Sequence, residues 1–162
     1  MPDRVFSFVL VFFLSLFLVS CASAPPADTG YRAVEQGSRA RSDVVLYAMG
    51  MLDKEYAYGG KGPVKGFDCS GLVTHVYKVS AGLSVTGNAA SMAASLRPVE
   101  AGRIQPGDLL FFNTTGAPAS HVGIYVGQGR FIHSANERAG VRLDRLSGRY
   151  WAQKFEGARS VF

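Results

Sequence analysis

The sequence has little of several features that would point directly to a function. It contains no cluster of basic residues, no internal repeat and no apolar run of the ~20 residues that span a bilayer comfortably. Its formal net charge of +5 is scattered along the chain, which argues against a nucleic-acid-binding surface. The charge fits either anionic surroundings, such as acidic lipid or a polyanionic polymer, or an ordinary solvated surface. With 162 residues, 48% of them apolar, the chain fits one globular domain with a terminal extension.

The first twenty residues predict a secretory signal peptide. A short polar stretch with Arg4 precedes an unbroken run of apolar or small residues, 5–20, which would form about 24 Å of helix. This run is shorter than the ~20 residues of a transmembrane helix, and small residues follow it. We therefore interpret residues 1–20 as a signal peptide and the chain as exported.

The end of this run, "LVSC" at residues 18–21, resembles the lipobox of bacterial lipoproteins. The resemblance implies cleavage before Cys21, lipidation of that residue and attachment to a membrane through the N-terminal lipid. Ala22 follows, which by the same resemblance implies sorting to the periplasmic side of the outer membrane. Residues 21–38 would then form a lipidated N-terminus and a Pro-rich tether. An ordinary signal peptide cleaved nearby is the alternative.

Cysteine is scarce. Apart from Cys21, the only one is Cys69, in "GFDCSGLVTHVYK" at residues 66–78. If lipid occupies Cys21, Cys69 has no disulfide partner, and a lone thiol in an exported protein calls for an explanation. A Cys21–Cys69 disulfide is the structural alternative.

The apolar pattern over residues 39–162 predicts helices first and antiparallel strands afterwards, which is the α+β class. Helices are predicted over 42–54, from Cys69 with Asp68 as its N-cap, and as a short element capped by Asn88. The Gly-rich segment "YAYGGKGPVKGF" between the first two is predicted to be a loop. Strands are predicted at "DLLFF", "HVGIYVG", "RFIHSA", "GVRLDRL" and "FEGARSVF".

Cys69 is the candidate nucleophile, because the amides and the dipole of a helix N-terminus favour the thiolate. A thiol of ordinary pKa also needs a base, and the chain offers only three histidines. His75 lies on a different side of the helix that starts at Cys69, and we expect it at the surface. His121 and His133 lie in two strands joined by Gly-Gln-Gly at residues 127–129, a strong hairpin signal.

The length of the hairpin loop decides where these two histidines lie. A loop of three residues pairs Val126 with Arg130 and Tyr125 with Phe131. Continued along the strands, this register makes the two histidines diagonal neighbours on one face of the sheet. A two-residue loop would place them on opposite faces.

On a shared face, His121 can act as the base toward Cys69, and His133 can orient His121 through its other ring nitrogen. Two alternatives stay open. Two His and one Cys could bind zinc, although no fourth ligand is evident. Both histidines could also be ordinary polar strand residues.

Several motifs occur together in an order that is specific. "YAYGG", "GFDCSGLV", "QPGDLLFF", "SHVGIYVGQGRFIHSA" and "YWAQKFEGARSV" resemble the NlpC-type bacterial cell-wall cysteine peptidases, over residues 42–162. The resemblance implies a papain-like α+β fold, with the nucleophile at a helix N-terminus packed on an antiparallel sheet that carries two histidines. It also implies cleavage of amide bonds in peptidoglycan stem peptides, at a D-glutamyl–diamino acid bond or in the D,D-crosslink.

The same resemblance assigns roles to individual residues. It implies Cys69 as the nucleophile, His121 as the base and His133 as the third, polar member. Asp68 and Ser70 match positions near the free amine of the substrate, and Tyr56 matches an aromatic residue of the cleft. Each of these three also has a structural role open to it, as helix cap, first-turn residue and core aromatic. Where the family carries an Arg-Thr/Ser pair and a Gln, this chain retains only a threonine.

The implied protein is a monomeric hydrolase without cofactor or metal that acts on peptidoglycan and binds no nucleic acid. Two other functions stay open. The same three residues could serve a cell-wall amidase or an acyltransferase. The chain could also be a lipoprotein that binds peptidoglycan without cutting it.

Overall fold

Four α-helices, one short 3-10 helix (Ala101–Arg103) and eight strands are present in residues 29–162, the part of the chain that the computed structural model describes. The helices are α1 (Thr29–Met49), α2 (Cys69–Ala81), α3 (Ala89–Ser95) and α4 (Arg149–Lys154). The strands are β1 (Lys61–Gly62), β2 (Gly66–Phe67), β3 (Arg97–Val99), β4 (Leu109–Phe112), β5 (His121–Gly127), β6 (Arg130–Ser134), β7 (Val141–Arg145) and β8 (Phe155–Ser160). The signal peptide and the lipidation of Cys21 predicted from the sequence lie outside the described residues.

An antiparallel sheet of six strands, in the order β3-β8-β4-β5-β6-β7, forms the second half of the fold. Its central strand β4 is buried at all four positions, because the sheet is covered on both faces. Leu109 and Phe111 contribute to the core under the helices, whereas Leu110 and Phe112 contribute to a second core on the opposite face. Burial on both faces explains why this strand reads as an unbroken apolar run. The predicted α+β class is confirmed.

Helix α2 packs across β5 and β6, and this packing keeps its first residues beside the sheet. Its apolar stripe of Leu72, Val73, Val76 and Tyr77 is fully buried, as the spacing of these residues predicts. Burial of each such side chain contributes about 1.5–3 kcal/mol. The N-terminus of α2 therefore has a fixed position relative to the two strands that carry the histidines.

Helix α1 starts earlier and ends earlier than the helix predicted over residues 42–54, since it spans Thr29–Met49. Most side chains in the turns before Arg41 are exposed, so no apolar period marks them, and a Glu35–Arg39 ion pair supports the helix there. Residues 29–38, predicted to belong to an extended tether, are helical. Arg41 anchors α1 to the sheet by donating to Asp108 Oδ1 at 2.8 Å.

Several short elements were not expected from the sequence, among them strands β1, β2 and β3 and helix α4. The Gly-rich segment predicted as a loop contains the β1–β2 hairpin, and the edge strand β3 pairs with β8. Strands β1, β2 and β3 are each only two or three residues long, which is too short to show a period of apolar residues. None of the helices within residues 29–162 combines the length and the apolar character that crossing a bilayer requires.

Candidate active site

The predicted nucleophile lies at the first residue of α2. Asp68 is the N-cap, with its Oδ1 accepting hydrogen bonds from the Gly71 backbone N–H at 2.6 Å and from the Ser70 hydroxyl at 3.0 Å. The predicted cap is therefore confirmed. Cys69 is half-buried and has no disulfide partner within residues 29–162. The alternative of a Cys21–Cys69 disulfide involves a residue outside the described part of the chain.

A close backbone contact holds the start of α2 against the loop before β1. The Asp68 backbone N–H donates to the Gly60 carbonyl oxygen at 3.0 Å. Gly71 faces the same carbonyl group, and a Cβ at this position would overlap the Gly60 oxygen and lie 3.0 Å from its carbon. The absence of a side chain at Gly71 therefore allows the helix to approach this close to the loop.

The predicted three-residue loop of the β5–β6 hairpin is too long by one residue. Only Gln128 and Gly129 form the turn, with φ angles of 53° and 67°. Gly127 pairs with Arg130, where the sequence predicts Val126. Two consecutive positive φ values are typical of a type I′ turn, whose twist suits a two-residue hairpin loop.

A bulge between Tyr125 and Gly127 compensates for the shorter loop. The extra residue restores the pairing of Tyr125 with Phe131 that the sequence predicts. As a result, the residues beyond the bulge point to the same faces of the sheet as they would with a three-residue loop. His121 and His133 therefore lie on one face, next to each other. The predicted geometry is correct, although the bulge rather than the loop supplies the odd residue.

The two imidazoles are buried and bonded to each other. His121 Nε2 lies 2.8 Å from His133 Nδ1, and the two rings meet edge to face. His133 is fully buried and His121 is 7% exposed. The ring of Trp151, from α4, stacks on His121 with ring centroids 5.6 Å apart and meets His133 edge-on. This packing leaves the two rings little freedom to turn.

Asp144, on β7, extends the chain of hydrogen bonds and was missed in the sequence. Its Oδ2 lies 3.0 Å from His133 Nε2 and accepts from the indole N–H of Trp151 at 3.0 Å. Its Oδ1 accepts from Arg142 at 2.7 Å. In an alternating strand such an aspartate reads as solvent-facing, so only the register of β6 against β7 could have indicated its contact with His133.

A cleft of about 630 Å³ brings the predicted site residues together. The predicted residues among those that line it are Tyr56, Asp68, Cys69, Ser70 and His121, and His133 lies directly behind His121. The backbone N–H of Val122, the residue after His121, favours the thiolate form of Cys69 and so acts to lower its pKa. Because His133 occupies Nε2 of His121, Nδ1 is the nitrogen available to the thiol.

Burial is the largest influence on the pKa values of Cys69 and His121 in the cleft. It raises the pKa of the Cys69 thiol, an effect opposed by the backbone N–H groups of Val122, Ser70 and Cys69. Burial, followed by the charge of His133, lowers the pKa of His121 to about 3. The start of the helix therefore does not by itself produce a thiolate, and the thiol needs a base, as the sequence predicts. Both shifts in pKa favour the uncharged forms, the protonated thiol and the neutral imidazole.

The third histidine lies elsewhere. His75 Nε2 is 3.1 Å from the Tyr47 hydroxyl, and its ring packs on Phe67, so it joins α1 to α2. It is not part of the lining of the cleft. Within residues 29–162 no group of three His, Cys, Asp or Glu side chains is arranged to hold a metal ion. Both ring nitrogens of His133 are already hydrogen-bonded, which leaves none to ligate zinc.

Comparison with known proteins agrees with this geometry. A family model described as the NlpC/P60 family matches residues 53–160, which include the residues that line the cleft and every strand of the sheet. The chain belongs to the NlpC/P60 family. Membership in this family explains why the glycine-rich loop, the capped cysteine and the two histidine strands occur in this order.

Named relatives of the family resemble most of this chain. Murein DD-endopeptidase MepH of Escherichia coli (strain K12) is 36% identical over 145 residues, covering 88% of this chain and 52% of MepH. Gamma-DL-glutamyl hydrolase of Bacillus subtilis (strain 168) is 38% identical over 117 residues, covering 72% of this chain and 28% of the hydrolase. The chain thus spans about half the length of the first relative and less of the second.

The fold is also found in solved structures. The crystal structure of an NlpC/P60 family protein from Bacillus cereus ATCC 10987 superposes with a TM-score of 0.68 at 28% identity, covering 74% of this chain and 39% of that one. The predicted papain-like arrangement, with the cysteine at a helix N-terminus and both histidines on the antiparallel sheet, is confirmed.

Proposed function

We propose that this protein is a cysteine endopeptidase that hydrolyses amide bonds in the stem peptides of peptidoglycan. The observation that carries the proposal is the position of Cys69 at a capped helix start, in one cleft with the paired imidazole of His121. The names of the relatives, a murein DD-endopeptidase and a gamma-DL-glutamyl hydrolase, support the choice of substrate.

The reaction starts from the neutral pair. As Cys69 Sγ attacks the scissile carbonyl carbon, its proton passes to Nδ1 of His121. The oxyanion that forms is stabilised by backbone N–H groups at the start of α2. The imidazolium then gives its proton to the leaving nitrogen as the C–N bond breaks. Water, deprotonated by His121, hydrolyses the thioester and restores the thiol.

Asp68, Ser70 and Tyr56 are placed to bind substrate beside the thiol. Asp68 uses Oδ1 for the helix cap, and Oδ2 is available to an ammonium group. Tyr56 lines the same cleft as Cys69 and Asp68. Burial, followed by the charges of these two residues, raises the pKa of Tyr56. We assign the two polar side chains to the free amine of the stem peptide and Tyr56 to the wall of the cleft.

Replacement of Asp68 separates its two roles. Asp68→Asn keeps an oxygen for the cap but removes the charge, so we expect KM for amine-bearing stem peptides to rise with little change in Tm. Asp68→Ala removes the cap as well, at a cost of about 1 kcal/mol, and Tm falls by several degrees. Steady-state kinetics and thermal unfolding measure the two effects. An unchanged KM in both variants would exclude Asp68 from substrate binding.

Mass spectrometry of the fragments released from purified sacculi tests the proposed bond. An endopeptidase releases peptides or converts crosslinked muropeptides into smaller ones, and the sugar stays attached to the first residue of the stem. An amidase, which the same three residues could also serve, would release whole stem peptides and leave free glycan. A non-catalytic binding protein would sediment with sacculi and release nothing.

We propose that this activity resides at the cell envelope, because of the sequence of the N-terminal segment. Residues 1–20 act as a signal peptide, and lipid on Cys21 anchors the protein to the periplasmic side of the outer membrane. The "LVSC" sequence supports this assignment. Fatty-acid labelling of the full chain in a Gram-negative host, with Cys21→Ala as the control, tests it.

A further inference from the structure

The hydrogen bonds of the cleft continue past the two histidines to a group that does not line the cleft. They run from His121 Nε2 to His133 Nδ1 over 2.8 Å, and from His133 Nε2 to Asp144 Oδ2 over 3.0 Å. His133 is fully buried between these partners. A buried imidazole with both nitrogens engaged has its tautomer fixed by its neighbours.

The protonation of Asp144 determines the direction of every bond in this chain. Hydrogen bonds from His133 and Arg142 outweigh burial and lower the pKa of Asp144, so the group is a carboxylate that only accepts. Nε2 of His133 must therefore carry the proton, which leaves Nδ1 bare. Nε2 of His121 must then donate to that bare nitrogen, and Nδ1 of His121 is left without a proton. That nitrogen is the one available to Cys69.

We propose that Asp144 is a positioning residue that sets the tautomers of both histidines, presents the unprotonated nitrogen of His121 to the thiol and stabilises the imidazolium formed during the reaction. The kinetic consequences of this proposal rest on the proposed thiol mechanism. The structural content of the proposal, the tautomer of each ring, can be tested on a protein that has no activity.

Other groups around the histidine pair support this role for Asp144. Arg142 and Trp151 donate to its two oxygens from β7 and α4, which holds the carboxylate in place from both sides. The remaining titratable groups share the cleft or the neighbouring pocket with His121, and they are Cys69, Asp68, Tyr56, Tyr58, Lys61 and Tyr150. Asp144 is therefore the one carboxylate that contacts either ring within residues 29–162.

Two variants distinguish the charge of Asp144 from its ability to accept a hydrogen bond. Asp144→Asn can still accept from His133 but has no charge to stabilise the imidazolium. We expect kcat to fall ~10- to 100-fold with KM nearly unchanged, part of the 10²–10⁴-fold that a positioned base contributes. Asp144→Ala also frees the tautomers, and we expect a larger loss. The matched control is Asp43→Asn, an exposed aspartate on α1, which should leave kcat unchanged.

The pH dependence supplies a readout that a purely structural role would not move. The carboxylate raises the pKa of His133 against the effect of burial, so its removal lowers the pKa of the pair. The limb of the kcat/KM profile that reports protonation of the histidines should therefore move to lower pH in Asp144→Asn. A lower Tm without this movement would mean that Asp144 only supports the fold, and would overturn the proposal.

Nitrogen chemical shifts of the histidines, measured by NMR in the Cys69→Ala protein, test the tautomers without any activity. We expect His121 with its proton on Nε2 and a bare Nδ1, and a mixture of tautomers once Asp144→Ala is added. If both rings keep the same tautomer in the double variant, the proposal fails while the proposed function stands. If the tautomers change in the double variant but the parent protein, with Cys69 intact, releases nothing from any sacculi, the proposed function fails instead.

Discussion

Cys69→Ala is expected to abolish the release of fragments from sacculi while the protein remains folded. The side chain loses the sulfur that forms the acyl intermediate. We expect activity to fall at least ~10³-fold, to the background of the assay. Because Cys69 is the first residue of α2 and half-buried, alanine fits there without strain, and Tm should change little.

Controls on the same helix make this result specific. Ser80→Ala removes a hydroxyl that bonds the Val76 carbonyl of α2 outside the cleft, so it should retain full activity. His121→Ala should match Cys69→Ala in activity and should also slow alkylation of the thiol by iodoacetamide, since the neutral thiol needs that base. Undiminished release by Cys69→Ala would exclude thiol catalysis and favour another activity for this cleft.

Local signals in the sequence were enough to predict the nucleophile and its helix. Asp68 precedes a run of apolar residues at helical spacing, so the cap and the start of α2 follow from neighbouring residues alone. The short helix capped by Asn88 was predictable for the same reason, and its side chain accepts from the Ser91 backbone N–H at 2.9 Å. Such features depend on a few consecutive residues, which the sequence shows directly.

The histidine pair was predictable in outcome but not in detail. A three-residue loop and a two-residue loop with a bulge give the same register beyond the turn, and Gly-Gln-Gly permits both. The sequence cannot separate them, because the difference lies in the φ angle of Gly127, which is +95°. Only the shared consequence, both imidazoles on one face, was visible.

Asp144 and Trp151 show what a sequence cannot reveal. Their contacts with the histidines join residues from β5, β6, β7 and α4, and none of these contacts follows from a local pattern. The six-residue helix α4 is too short for a clear period, so its tryptophan had no assigned position. The start of α1 was missed although this helix is long, because its first turns are exposed and have little apolar pattern to detect.

Gly71→Ala is expected to damage both stability and activity, although alanine favours a helix. In an open helix this change stabilises by up to ~1 kcal/mol. At Gly71 the new methyl group would overlap the Gly60 carbonyl oxygen and lie 3.2 Å from the capping oxygen of Asp68. Relief requires α2 to move away from the loop, and we expect a loss of about 1–3 kcal/mol or more. Thermal unfolding should show Tm lower by several degrees.

The displacement also moves the thiol. Cys69 is two residues before Gly71 on the same turn, so a shift of the helix start changes its position relative to His121, and misplacement by about 1 Å can cost 10²-fold in rate. Gly37→Ala is the matched control, since Gly37 lies within α1 and nothing is within 4 Å of the added Cβ. That variant should be as stable as the parent protein or more so, and fully active. If Gly71→Ala behaved in the same way, the contact between α2 and the loop would not position the nucleophile.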